Sequence, residues 1–133
     1  MKTVALITLA VLALIGVFAL GVFAVAHFEN PSSRFSTYDE LRASGLIERG
    51  WVPEFLPRSA TDIEESHDLD TNRGWASFKY KAGDTVAADE GCKLLHRTNE
   101  GSKYLCPPFE AQTAILVLRA SGTGTLTMHP DEI

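Results

Sequence analysis

Charge is almost missing from the start of this chain: from Thr3 to Phe28 there is no Asp, Glu, Lys or Arg. Cysteine is scarce too, with two in 133 residues, and their spacing fits neither a CxxC redox pair nor a zinc knuckle. Basic residues are outnumbered, 12 Lys and Arg against 17 Asp and Glu, and without Lys2 the remainder carries a formal charge of −6. Phosphate binding needs a basic patch, so this balance excludes nucleic acid as the main partner. It also argues against electrostatic docking on anionic lipid. No period or biased tract appears, which excludes a collagen-like, repeat or low-complexity chain. The words G-x-S-x-G and H-E-x-x-H and the P-loop are all missing. The expectation is a protein that is not an enzyme and that carries no cofactor.

What is there begins with an apolar leader. Thr3 to Ala26 reads TVALITLAVLALIGVFALGVFAVA, with only Thr3, Thr8, Gly16 and Gly21 outside the apolar set. As a helix, Val4 to Ala26 would span roughly 34 Å, enough to cross a bilayer core. A soluble domain of this size cannot bury a helix that is apolar on every face. Length favours an uncleaved membrane anchor, since signal h-regions run about 7–15 residues. The triplet Ala24-Val25-Ala26 and Lys2 favour a signal peptide cleaved after Ala26. Both readings place residues 30–133 outside the cytoplasm, because the positive charge precedes the leader and the acidic domain follows it. No Cys stands near the leader's end, so lipid attachment is not expected. In the oxidising compartment so implied, Cys92 and Cys106 are expected to bridge.

The division expected is 1–26 as anchor or signal, 27–35 as a polar tether, and 36–133 as an extracytoplasmic domain. Thr37 with Glu40 has the spacing of a capping box for a short helix carrying Tyr38 and Leu41 inward, and Gly45 is placed to stop it. Gly50 to Pro57 (GWVPEFLP) is interrupted by two prolines and is neither helix nor central strand. Its Trp51 and Phe55 either plug one end of the core or form a partner surface. Ala60 to Asp70 pairs with Trp75 to Lys81 across a turn. Asp84 to Leu95 reads as a helix, with a disulfide-tied hairpin over Lys93 to Cys106 as the alternative. Thr113 to Arg119 is apolar on both faces, as a central strand should be, and Thr125 to His129 returns beside it. The fold class expected is α+β: an N-terminal transmembrane helix, then a small domain with an antiparallel sheet of hairpins and one or two short helices.

Few constellations could carry chemistry. Ser66-His67-Asp68 has the residues of a hydrolase triad, but neighbours on a strand point to opposite faces and cannot relay a proton. Asp68-x-Asp70-x-Asn72 offers alternate oxygens of the kind calcium prefers, yet Arg73 and Lys79 stand where an EF-hand needs Gly and Glu. An Asx-capped turn explains the same residues. His67 with Glu65 could contribute to a metal site, although a third ligand is not evident; a buried His hydrogen-bonded to a carboxylate is the plainer reading. The metal candidates are therefore His67, Asp68, Asp70 and Asn72.

The words Gly50-Trp51-x-Pro53, Phe55-Leu56-Pro57-x-Ser59-Ala60 and His67-Asp68-Leu69-Asp70-Thr71-Asn72 resemble short bacterial lipoprotein-like or membrane-anchored proteins with a YbbD-type head domain. The resemblance covers Arg49 to Asn72 and implies an envelope location, without a catalytic role for any residue. Unlike anchored relatives, this chain has no lipobox cysteine. The functional expectation is a non-enzymatic binding or assembly module whose partners are the membrane, through the leader, and another envelope protein. The alternative is a ligand- or metal-ion-binding domain centred on His67 to Asn72.

Overall fold

The computed structural model describes residues 1–29, 31–107 and 112–130. These divide into two compact units, 1–31 and 32–133.

The first unit is one helix, α1 (Lys2–Glu29). Its apolar side chains are exposed along its whole length, including Leu6, Leu14, Phe18 and Phe23. Lys2–Phe28 is long and apolar enough to cross a membrane, at 27 residues with a mean hydropathy of 2.8. The sequence reading sets a tether at 27–35. In the structure α1 continues to Glu29 and a strand begins at Ser32, because Phe35 is drawn into pairing with Ile63. Asn30, the centre of that tether, lies outside the described residues.

The second unit is built on β1 (Ser32–Thr37), α2 (Tyr38–Ala43), β2 (Thr61–Asp68), β3 (Arg73–Lys79), α3 (Val86–Gly91), β4 (Lys93–Thr98), β5 (Gly101–Cys106), β6 (Gln112–Arg119) and β7 (Thr123–Pro130). The strands form one antiparallel sheet in the order β1-β2-β3-β7-β6-β5-β4. The fold is α+β. Most neighbours in the sheet are hairpin partners or are joined by a short excursion. The exception is the passage from β3 through α3 to β4, which carries the chain to the far edge. Succeeding strands then return toward β3 and close the sheet against it.

One face of this sheet carries the core. Alternation sends Ile63, Ala76, Phe78, Tyr104, Leu116, Leu118, Leu126 and Met128 to that side, all buried. Tyr38 and Leu41 of α2 and Val52 and Leu56 of the following loop cover it. The α2 cap forms as expected on one side, where Thr37 Oγ1 accepts from the Glu40 amide at 3.3 Å, while the Glu40 carboxylate accepts from the amide of Ser36, one residue before the cap, at 2.7 Å. Gly45, at φ 79°, then takes the left-handed conformation that ends the helix.

Two sequence expectations need correction here. The helix expected over Asp84 to Leu95 is only one turn and a half, because Gly91 and Cys92 break it and β4 starts at Lys93. The hairpin alternative is the one adopted. Second, β6 has only one buried face: Ala114, Leu116 and Leu118 are buried, whereas Ile115 and Val117 on the other side are half-exposed. No second layer covers that side among the described residues.

Candidate functional site

The two segments singled out in the sequence, around Trp51 and around His67, meet on the covered face of the sheet. Positioning starts with β2. Its alternation places Ile63, Glu65 and His67 inward, and Glu64, Ser66 and Asp68 on the opposite face. The loop after α2 then folds back, held by the Trp51 amide donating to the Leu46 carbonyl at 3.0 Å. This lays the Trp51 indole over the imidazole of His67, with ring centroids 4.0 Å apart and planes at 18°. Opposite His67 on β3 stands Gly74, whose missing side chain leaves room beside Met128 and the Trp51 carbonyl.

Glu65 and His67 share a hydrogen bond of 2.6 Å between Oε1 and Nδ1. Both are buried, Glu65 to 2% exposure and His67 to 8%. The second oxygen, Glu65 Oε2, is buried and has no hydrogen-bond partner. Burial pushes the Glu65 carboxyl above its ordinary value, although the His67 bond and the charge of Arg49 pull the other way. A buried carboxylate clamping an imidazole resembles two parts of a hydrolytic triad, but Ser66 lies on the other face of the strand, paired with Trp75. Ser66, His67 and Asp68 do not converge.

The Asp68 to Asn72 segment is a turn that uses its own carboxylate. Asp68 Oδ1 accepts from the amides of Asp70 at 2.9 Å and Thr71 at 3.1 Å. These bonds lower the Asp68 carboxyl below its ordinary value. Asn72 adopts φ 57°, which suits an Asx-type turn, and its carbonyl accepts from the buried Gln112 side chain at 2.8 Å. Asp70 and Asn72 are exposed, and His67 faces the core side, so the candidate ligands do not surround one point. Among the described residues no group of three or more His, Cys, Asp or Glu could hold a metal ion.

Trp51 and Phe55 are half-buried and pack against the core. The Phe55 ring sits over α3 so closely that a Cβ at Gly91 would meet it at 2.0 Å. The adjoining corner is tied twice. Cys92 and Cys106 are disulfide-bonded, joining the end of α3 to β5. Beside them Asp89 accepts from Arg97 at 2.6 Å, Tyr104 at 2.8 Å and Thr85 at 2.7 Å. Those bonds hold the Asp89 carboxyl below its ordinary value despite partial desolvation. Sequence reading missed this network, because its members are brought together only by the β4–β5 pairing.

The uncovered face of the sheet was missed as a unit as well. A cross-strand row runs Ser66, Trp75, Thr127, Ile115, Leu105, Lys93. The next row carries Ser77, Thr125, Val117 and Lys103. Trp75 is 43% exposed, and Leu105, Ile115 and Val117 are half-exposed. The only signal available in sequence was the apolar run of β6, which fits a strand covered on both faces equally well.

Compared with known proteins, residues 29–79 match the family model of the YbbD head domain. That span contains α2, the Trp51 loop, β1, β2 and β3, and it includes every word of the resemblance read from the sequence. No curated protein and no solved structure matches the chain.

Proposed function

We propose that this is a single-pass protein of the bacterial envelope, anchored by α1, whose domain lies outside the cytoplasm and serves as a non-enzymatic binding or assembly module. The observation that carries this reading is the bare sheet face. A domain this small has little apolar surface to spare, yet Trp75, Leu105, Ile115 and Val117 are left in contiguous rows outside the core. The charge-free stretch before Phe28 with Lys2 ahead of it supports the orientation. The Cys92–Cys106 bond supports an oxidising compartment. Trp51 and Phe55, engaged by His67 and Gly91, are better explained as a plug than as the docking surface. The ion-binding alternative is weakened by Asp68, whose Oδ1 is already taken by the turn.

Alkaline phosphatase fused after Ile133 should be active in cells, and a cytoplasmic reporter at the same position should be silent. The reverse pattern would sink the proposed orientation. For the module itself, a photoreactive amino acid at Ile115 in the full chain should give a discrete adduct in cells, whereas one at exposed Glu48 should not.

A further inference from the structure

We infer that the bare face of the sheet holds a saccharide site over β2, β3 and β7, built to take an oligosaccharide that bears a carboxylate. The inference rests on the binding-module reading above and goes further by naming the class of ligand. A depression of about 550 Å³ opens on this face, within the size range of small-molecule sites. Glu64, Ser77 and Thr125, neighbours in one cross-strand row, line its middle, and Lys79, Thr123 and Arg119 line one end. Beyond the other end stands Trp75, two residues from Ser77 on the same face of β3 and 43% exposed. From Trp75 to Lys79 the strand covers roughly 13 Å, longer than a single sugar ring. A bulge in β2 between Thr61 and Glu64 shapes the rim. There Asp62 takes the left-handed conformation at φ 48°, uncommon for a residue with a side chain, and bulges of this kind re-aim side chains. The result is a carboxylate held against Lys79 Nζ at 2.9 Å beside the depression.

The lining selects the ligand. Asp62 and Glu64 offer acceptors only, Arg34, Lys79 and Arg119 donors only, and the hydroxyls of Ser77 and Thr125 offer both. An apolar ligand would leave all of these groups without partners. A phosphate, with about two negative charges, would lie against the carboxylates of Asp62 and Glu64. The cores of protein interfaces are depleted in Ser, Lys, Asp and Glu, the residues concentrated here. A sugar ring answers every one of them, because its hydroxyls both donate and accept. Its C–H face, in turn, suits the electron-rich face of an exposed indole. The charges place the acid group. Arg34 is paired with Glu64 at 3.0 Å and Lys79 with Asp62, whereas Arg119 makes no ion pair among the described residues. Three cations against two carboxylates leave one positive charge, and it sits at the Arg119 end. The Tyr80 hydroxyl donates to the Arg119 carbonyl at 2.6 Å and fixes the backbone there. A planar guanidinium matches a carboxylate in both geometry and charge. The sugar acid therefore belongs at Arg119, with a neighbouring ring on Trp75.

The test uses the full chain in detergent micelles and a panel of oligosaccharides of uronic, muramic and neuraminic acid. Each is titrated beside its methyl ester, which keeps the sugar and removes the charge. At least one acid should bind, shift the tryptophan emission, and bind about tenfold more tightly than its ester, as one charge-assisted contact would give. Trp75→Leu, which keeps apolar bulk without an aromatic face, should lose both the binding and the emission shift. Arg119→Gln should reduce the acid to the affinity of its ester and leave the ester unchanged. Lys103→Gln, on the same face but outside the depression, should alter neither. Urea midpoints of the three variants should match the wild type. Binding of no member of the panel would overturn the inference, as would equal binding of acid and ester or full binding by Trp75→Leu. The photoreactive probe at Ile115, outside the depression, keeps the two readings apart. No saccharide bound but a discrete Ile115 adduct overturns this inference and leaves the binding module standing; neither saccharide nor adduct overturns both.

Discussion

Replacing His67 by Ala tests the energetics of the buried cluster more sharply than any other single change. The substitution removes the 2.6 Å bond to Glu65 Oε1 and the stack on Trp51. Glu65, at 2% exposure and with Oε2 already unpartnered, would then have neither oxygen satisfied. Leaving one more buried polar atom without a partner costs about 1–3 kcal/mol. Loss of an offset aromatic pair adds about 0.5–1.5 kcal/mol. The expected penalty is therefore about 1.5–4.5 kcal/mol, overlapping the range of about 3–5 kcal/mol for breaking a buried ion pair. Against a typical stability of about 5–15 kcal/mol, that is a large fraction.

The pH dependence gives an independent check. Because burial raises the Glu65 carboxyl in the folded state, the folded protein holds this proton more tightly than the unfolded chain does. Its contribution is thus most favourable at pH below the unfolded value and is lost as pH rises through the higher folded value. His67→Ala removes two of the influences that hold this value down, so the loss should extend to higher pH than in the wild type. The double variant Glu65→Met, His67→Phe keeps an aromatic under Trp51 and deletes the polar pair. Replacing both partners by apolar groups is expected to be nearly neutral or stabilising, within about 1 kcal/mol, and to abolish this pH dependence. Urea titrations of residues 32–133 across roughly pH 4 to 8 would measure all three. A double variant as unstable as His67→Ala alone would refute the desolvation argument and make the exact side-chain packing the cause.

Other outcomes follow from the same contacts. Cys92→Ala with Cys106→Ala should lower stability by roughly 3 kcal/mol on the chain-entropy argument, and mass spectrometry of unreduced protein should find neither thiol open to alkylation. Gly91→Ala places a Cβ 2.0 Å from the Phe55 ring and should cost about 1–3 kcal/mol; in a Phe55→Leu background thermal melts should show a smaller penalty. Thr37→Ala removes the cap on the Glu40 amide, and a loss of about 1 kcal/mol in a urea midpoint is expected.

How much of this was legible in sequence depended on whether the signal was local. The α2 cap and its Gly45 stop follow from spacings within a dozen residues, the β2–β3 and β6–β7 hairpins from alternation on either side of a local turn, and those elements are present. The pairing of Glu65 with His67 was legible for the same reason, since two residues apart on a strand share a face. What could not be read was long-range. Trp51 reaches His67 only because the loop doubles back, and Arg97 reaches Asp89 only because β4 pairs with β5. The length of α3 was overestimated because Val86, Ala87 and Leu94 have helical spacing, while the edge of the sheet recruits Leu94 into β4. The same blindness applied to β6. Apolar residues on both sides of a strand say that it is central, and β6 is flanked on both sides; they do not say that both faces are covered.

The span that matches the YbbD head domain ends at residue 79, the last residue of β3, and that position has a structural meaning. It includes β1, β2 and β3, three consecutive strands on one side of the sheet, together with the helix and loop that cover them. Yet β3 is an interior strand. Its Ala76 and Phe78 face Leu126 and Gly124 of β7, and the Phe78 ring lies where a Cβ on Gly124 would stand, 2.3 Å away. Cut at residue 79, the matched half would expose a full ladder edge and half of its core, the kind of edge that proteins rarely leave open. The remaining strands therefore complete the matched half in this chain. Those strands also supply most of the bare apolar face, since Leu105, Ile115 and Val117 all lie beyond residue 79 and only Trp75 lies before it. The span that matches the family model thus holds the plug and the turn, and most of the bare apolar face lies outside it. If the bare face carries the proposed binding role, polar variants of Ile115 or Val117 should abolish the adduct without moving the urea midpoint, and a variant of Trp75 would show whether the matched span takes part in it.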